Sequence, residues 1–116
     1  MLPDIADMEN MPEPFEILEL YAGQEIELRP QGFMLGKALI NPRDGRAARI
    51  IRVLRVEVAK EAKPTLPAYW DITSAHLIAG LVGHFEQADY GRKVYKIKKF
   101  GQGPQARFTL DVSPAK

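Results

Sequence analysis

The stretch RKVYKIKKFGQGPQARFTLDV, residues 92–112, is the segment that decides the fold. Two runs rich in β-branched and aromatic residues flank the cluster Gly101–Pro104, whose glycines are free to take positive φ, and this pattern predicts a β-hairpin. Because side chains alternate along a strand, Tyr95 and Ile97 share one face of the first run. The opposite face carries Val94, Lys96, Lys98 and Phe100.

The second run of this hairpin also alternates. We expect its apolar side chains to point inward, and these are Ala106, Phe108, Leu110 and Val112. Lysines interleaved with aromatic rings suit a groove for single-stranded nucleic acid, since cations neutralise phosphates and flat rings stack on bases. The same pattern also fits a solvated outer face whose lysines discourage edge-to-edge pairing, and both interpretations stay open.

The bulk composition predicts one soluble domain. The 116 residues suffice for a single hydrophobic core, and the absence of cysteine excludes a disulfide scaffold, a thiol nucleophile and a Cys-type zinc site. No apolar run approaches the roughly 20 residues of a membrane span, and no signal-peptide pattern is visible. We therefore expect a cytoplasmic protein that does not associate with membranes.

Charge is distributed unevenly along the chain. Residues 1–28 hold eight acids and no base, whereas the remainder holds all 16 bases and the other seven acids. This split favours an anionic partner for the basic part, and a tail that only improves solubility is the alternative. Residues 1–14 contain three prolines and four acids without periodicity, which predicts a flexible acidic arm. We hypothesise that this arm covers a basic groove and competes with nucleic acid, or that it recruits a protein partner.

Residues 15–112 are predicted to form a single β-barrel-like domain, followed by a C-terminal tail at residues 113–116. Alternating runs in Phe15–Leu28 indicate one bent first strand, and Arg29–Gly32 carries a turn signal. Phe33–Ile40 predicts a second strand. In it, the interior Gly36 indicates a bulge or a sharp bend.

The segment Ala47–Val58 follows a strong turn at Asn41–Gly45. Its arginines recur every three residues as on a helix, but three valines and two isoleucines favour a strand. We predict a long strand and keep a helix as the alternative. In a strand the arginines fall on both faces, and a bulge would then keep Arg52 out of the core.

Residues 73–87 predict one α-helix. The apolar residues form a single helical stripe, made of Leu77, Ile78, Leu81, Val82 and Phe85. Asp71, Thr73 and Ser74 offer oxygens for its N-cap. The resulting order β-β-β-α-β-β predicts a mainly β protein with one helix, arranged as a five-stranded Greek-key barrel of the oligonucleotide-binding type. An α+β sheet with one packed helix is the alternative.

No catalytic or metal-binding constellation is visible in the sequence. His76 and His84 lie about 12 Å apart along the predicted helix, too far to share a metal. No nucleophile elbow occurs, and the glycines of Gly101–Gly103 precede a strand rather than a helix. We therefore expect a non-enzymatic protein without a cofactor or a metal.

The second half resembles a family pattern. Trp70–Thr73, the Leu77/Leu81 helix, and Tyr95–Gly103 followed by Ala106–Leu110 are similar to segments of small single-stranded-DNA-binding proteins of bacteriophages and mobile elements. Those proteins are described as oligonucleotide-binding-type barrels, and the resemblance covers about residues 33–112. Some of them carry a Cys-rich metal knuckle, which this chain lacks. The resemblance implies that Trp70 either stacks on bases or anchors the core, and it implies nucleic-acid binding by Lys96, Lys98, Phe100 and Arg107.

We therefore predict an accessory protein of phage or mobile-element DNA metabolism that binds single-stranded nucleic acid. Phosphate contacts are assigned to basic residues of two segments, namely Lys96, Lys98, Lys99, Arg49, Arg52 and Arg55. Base stacking is assigned to Phe100, Tyr95 or Phe33, depending on which strand face opens to solvent. A protein–protein or structural adaptor module that assembles through its β edges and acidic arm is the alternative. Self-association and the choice between DNA and RNA stay open.

Overall fold

Two three-stranded antiparallel sheets and one helix make up the fold. The computed structural model describes residues 4–14, 17–18, 20–40, 45, 47–59, 63, 67–101 and 107–114. Its elements are β1 (Glu25–Leu28), β2 (Pro30–Ile40), β3 (Arg49–Val58), β4 (Tyr69–Ile72), α1 (Ala75–Phe85), β5 (Lys93–Phe100) and β6 (Arg107–Pro114). The strand orders are β2-β3-β4 in one sheet and β1-β5-β6 in the other. The prediction of a mainly β protein with one helix is confirmed, and no strand pairing in the described ranges closes the two sheets into a barrel.

One extended stretch serves both sheets, because only Arg29 separates β1 from β2. Leu28 is opposite Tyr95 in one sheet, and Pro30 is opposite Val58 in the other. Proline has no amide hydrogen and is tolerated as the first residue of a strand, where it disrupts no ladder. The predicted turn at Arg29–Gly32 is therefore wrong: the chain passes from sheet to sheet here without reversing.

The first strand is shorter than predicted. Tyr21–Gln24 forms a tight turn, closed by a 2.9 Å hydrogen bond from the Gln24 amide to the Tyr21 carbonyl, with Gly23 at a φ of 84°. Strand pairing begins only at Glu25, and Ile17 makes an isolated bridge to Asp71. Phe15, Glu16 and Glu19 lie outside the described residues.

The helix prediction is confirmed. All five predicted stripe residues of α1 are buried, and they join one core cluster with Leu54 and Val56 of one sheet and Tyr95 and Ile97 of the other. Of the three candidate caps, the Ser74 hydroxyl accepts a 3.4 Å hydrogen bond from the Leu77 amide. In the ranges described above, no helix is both long and apolar enough to cross a lipid bilayer.

Strand β3 confirms the strand interpretation of the arginine-rich segment. It pairs with β2 in unbroken register from Gly32–Glu57 to Ile40–Arg49. The register shift lies between Pro30 and Gly32, so the bulges expected near Gly36 and Arg52 do not form. Arg52 needs no bulge because it is only half-buried. At the other end of the chain, β6 runs to Pro114, so the strand includes the first two residues of the expected tail.

Residues 4–14, called here the N-terminal strap, lie against the open edge of β2. The Lys37 amide donates to the Glu9 carbonyl at 2.8 Å, and the Met11 amide donates to the Lys37 carbonyl at 2.7 Å. Met11 is buried in a small cluster with Ala38 and Val53. Beyond the strap, the Leu18 amide bonds to the Asp71 carbonyl on β4, at the other edge of the same sheet. The N-terminal chain thus occupies both sheet edges, which otherwise invite pairing with other chains. The strap's flexibility stays a prediction.

Gly36→Ala tests the contact of the strap with β2. A Cβ at this position would lie 2.5 Å from the Met11 Cγ and 2.8 Å from the Glu9 carbonyl oxygen. Because that oxygen belongs to the backbone, the strap must shift, and we expect a loss of about 1–3 kcal/mol in urea unfolding together with faster proteolysis of the strap.

The matched control is Gly83→Ala in α1, where a Cβ meets nothing within 4 Å. We expect unchanged or slightly higher stability there, by about 0.5–1 kcal/mol from helix propensity. A Gly36→Ala protein with wild-type stability and wild-type proteolysis would contradict the described contact between the strap and β2.

Candidate nucleic-acid interface

The outer face of the β1-β5-β6 sheet carries the predicted lysines beside carboxylates. The register places Lys96 between Glu27 on β1 and Asp111 on β6. Lys98 lies between Glu25 and Thr109. Opposite charges on neighbouring strands attract one another, so Lys96 has its charge balanced from both sides. The continuous basic face expected from the sequence is therefore a mixed face around Lys96.

The end of the β5–β6 hairpin next to the connecting residues is different. Phe100 is 45 % exposed, and Arg107 is its cross-strand neighbour. The Lys98 ammonium lies 5.2 Å from the centroid of the Phe100 ring. We call Lys98, Phe100 and Arg107 the tip cluster. It combines an exposed ring with two cations, which is the combination that single-strand binding requires. Residues 102–106, which connect the two strands, lie outside the described residues.

Lys99 lies on the opposite face of β5 from Lys98. It is half-buried and pairs across the sheet with Phe108. Its backbone bonds to the Tyr21–Gln24 turn through the Gly23 amide, at 2.8 Å, and the Gln24 carbonyl, at 3.1 Å. The turn places Tyr21 near Lys99. Tyr21 has an exposed ring and is not among the residues predicted from the sequence to bind nucleic acid. An aromatic residue in an alternating run is typical of a core position.

Two of the three predicted stacking residues pack against other aromatic rings of the protein. Tyr95 is fully buried, with its ring 5.2 Å from that of Phe85, and its hydroxyl donates to the Tyr90 carbonyl at 3.2 Å. Burial raises the pKa of the Tyr95 phenol. The assignment of Tyr95 to base stacking is therefore wrong, since its ring has no solvent-facing side. Phe33 is 36 % exposed and packs against the rings of Phe85 and Tyr90 at the rim of the core.

Arg55 is held by a structural ion pair. Its Nε and Nη2 donate to the two carboxylate oxygens of Asp71 at 2.8 and 3.1 Å, and Asp71 is fully buried. The guanidinium also lies 4.0 Å from the Tyr69 ring centroid. The hydrogen bond to Asp71 raises the pKa of Arg55 above its ordinary value. Arg55 thus joins β3 to β4, and its assignment to phosphate binding stays a prediction.

The remaining predicted cations lie on the β2–β3 hairpin. Arg49 is exposed at the start of β3, and the half-buried Arg52 lies opposite Lys37 on β2. Lys98 lies opposite Glu25 on β1, and Arg52 lies opposite Lys37 on β2. Lys37 follows Glu25 by twelve residues along the stretch that forms β1 and β2. Twelve extended residues span about 40 Å of strand path. The two predicted basic sets therefore belong to different hairpins and to different sheets.

Trp70 is half-buried against the core cluster, as the core-anchor interpretation expects. The Lys63 ammonium lies 4.9 Å from the centroid of its ring. His76 is exposed on α1, and the His84 ring lies 6.0 Å from the Tyr95 ring. Among the described residues, no three His, Asp or Glu side chains come together as a metal site needs.

Comparison with protein-family patterns, with characterised proteins and with solved structures gives no significant match.

Asp71→Ala tests the structural role of the Arg55 ion pair. The change leaves a largely buried guanidinium without its carboxylate, and we expect a loss of about 2–4 kcal/mol in urea unfolding. Asp111→Ala removes an exposed carboxylate from β6 and serves as the control, with an expected change within about 0.5 kcal/mol. Equal losses in the two variants would show that Arg55 does not depend on Asp71.

Proposed function

We propose that this protein binds single-stranded nucleic acid without catalysing a reaction on it, and that the tip cluster is the contact site. The observation that carries the proposal is the half-exposed Phe100 ring with Lys98 and Arg107 beside it. A large aromatic side chain left in water between two cations gains more from a stacked base and its phosphates than from solvent. Stacking is tolerant of base identity, so the binding is expected to have little sequence preference.

The topology supports the same proposal. If β1 and β2 are counted as one bent strand, that strand pairs with β3 on one side and with β5 on the other. Along the chain, α1 comes between β4 and β5. We propose that this is an open form of the five-stranded oligonucleotide-binding barrel, which has this strand order. The resemblance to phage and mobile-element proteins agrees with that proposal and supports an accessory role in DNA metabolism.

The salt dependence of binding follows from the number of cations at the site. Lys98 and Arg107 neutralise about two phosphates if both contact the backbone. Each phosphate contributes about −0.7 to the slope of log K against log salt for a single strand, so we expect a slope of about −1.4. The neighbouring Glu25 reduces this figure.

Phe100→Ala and Lys98→Gln test the tip cluster. We expect Phe100→Ala to weaken single-strand binding by about 1–3 kcal/mol through lost stacking. We expect Lys98→Gln to reduce the magnitude of the slope of log K against log salt by about 0.7. The measurement is fluorescence anisotropy of a short labelled oligonucleotide, single-stranded and duplex, over a range of salt concentrations.

Lys96→Gln is the matched control, because Lys96 is on the same strand face between Glu27 and Asp111. We expect it to change affinity less than Lys98→Gln does. Equal effects of the two lysines would contradict the tip cluster as the contact site. An absence of single-strand binding at low salt would contradict the proposed function itself.

One observation favours a second candidate function, a module that binds an acidic protein segment through the β2–β3 hairpin. Leu39 and Ile50 face each other across the hairpin, 53 % and 55 % exposed, and the next pair on the same face is Lys37 with Arg52. In the sequence, residues 30–58 hold six bases and two acids, Asp44 and Glu57. The acidic strap already binds the β2 edge here, and the Lys37 ammonium donates to the Ala6 carbonyl at 3.1 Å. For this function, Ile50→Asp should abolish partner binding and Phe100→Ala should leave it unchanged.

A further inference from the structure

We infer that the nucleic-acid site extends to the inner face of β5, where a cavity beside Lys99 takes a second base against the Tyr21 ring. This inference rests on the proposed function and adds a second stacking residue and a second binding surface to it. The two faces of the β5 end would then hold neighbouring nucleotides of one strand.

The cavity has the size and the lining for a small planar group with a charged neighbour. Its volume is about 390 Å³, near the lower end of the range for ligand sites. Apolar side chains of the N-terminal segment and polar groups of three other positions line it, namely Ile17, Leu18, Leu20, Tyr21, Thr73, Ser74 and Lys99. The apolar part suits the faces of a base, the Thr73 hydroxyl suits its polar edge, and the ammonium suits a phosphate.

Tyr21 is held ready for stacking. It is 73 % exposed, and no ring contact engages it among the described residues. The turn that carries it is fixed by a 3.0 Å hydrogen bond from the Tyr21 amide to the Gln24 side chain, and by the bonds of Gly23 and Gln24 to Lys99. A ring on a fixed turn loses little conformational entropy when a base stacks on it.

Strand alternation distributes the cations between two faces. Lys98 and Phe100 share the outer face of β5, whereas Lys99 lies on the inner face with the cavity. Each face therefore offers one ring and one ammonium group. A strand that passes around the end of β5 would stack one base on Phe100 and another on Tyr21, with its phosphates near the two lysines.

This arrangement excludes duplexes. Two bases that separate to opposite faces of a sheet must be unstacked from each other and unpaired, which single strands permit at low cost. Tyr21 is thus assigned to the discrimination between single-stranded and duplex nucleic acid, besides its share of the affinity.

The test compares Tyr21→Ala, Tyr21→Phe and Lys99→Gln with the wild-type chain, using labelled single-stranded DNA and its duplex in anisotropy titrations. We expect Tyr21→Ala to weaken single-strand binding about 5- to 100-fold, as the loss of one stacked base implies. Tyr21→Phe keeps the ring and should retain wild-type affinity. Duplex binding should be the same in all these proteins. Because the Tyr21 ring is largely exposed, the two Tyr21 variants should unfold at wild-type urea concentrations.

An oligonucleotide with abasic positions makes the test specific. If Tyr21 stacks on a base, the loss caused by Tyr21→Ala disappears when that base is absent, whereas purely additive losses would overturn the inference. Wild-type affinity of Tyr21→Ala with weakened Phe100→Ala would overturn the inner site and leave the proposed function standing. A wild-type chain that binds no single strand would overturn both.

Discussion

The bend at Arg29 and Pro30 is the constraint on which the rest of the structure depends. The stretch from Glu25 to Ile40 runs through it, and so the same chain is an edge of one sheet and an edge of the other. Leu28 is fully buried just before the bend, opposite the equally buried Tyr95. Both sheets can then pack on the single apolar stripe of α1, which gives a chain of this size one core. The same bend separates the β5–β6 and β2–β3 hairpins.

The distribution of charge on the surface of this protein is set by strand pairing and not by the order of residues in the sequence. Two of the acids near the N-terminus, Glu25 and Glu27, lie opposite lysines of β5, and the strap lies beside Lys37. Pairing of β1 with β5 therefore reduces the charge imbalance that the sequence shows. What remains is local, at the end of β5 and along the β2–β3 hairpin, and these two places divide the candidate functions between nucleic acid and an acidic protein segment.

Features set by neighbouring residues were predictable, and features set by distant partners were not. The stripe of α1 follows from local periodicity and formed as expected. Alternation also assigns the faces of β5, although Val94 is buried on the outer face next to Tyr95 on the inner face. The path of the chain at Pro30 depends on strand pairing with β5 before it and with β3 after it. A local turn signal therefore predicted the wrong conformation. The buried face of β5 was correctly grouped as Tyr95 with Ile97, but alternation alone did not say that this face would be inside. The partner of Arg55 lies 16 residues away, and Tyr21 lies on a turn whose Gly23 and Gln24 bond to the distant Lys99.

Backbone amide NMR during titration with a single-stranded oligonucleotide at low salt tests the central claim most directly. The claim is that the end of β5, with both of its faces, contacts nucleic acid. We expect chemical-shift changes in Tyr21–Gln24, in Lys98–Gly101 and at the start of β6, and no change around Lys37 and Arg52. Shift changes confined to the β2–β3 hairpin, or no change at all, would contradict it.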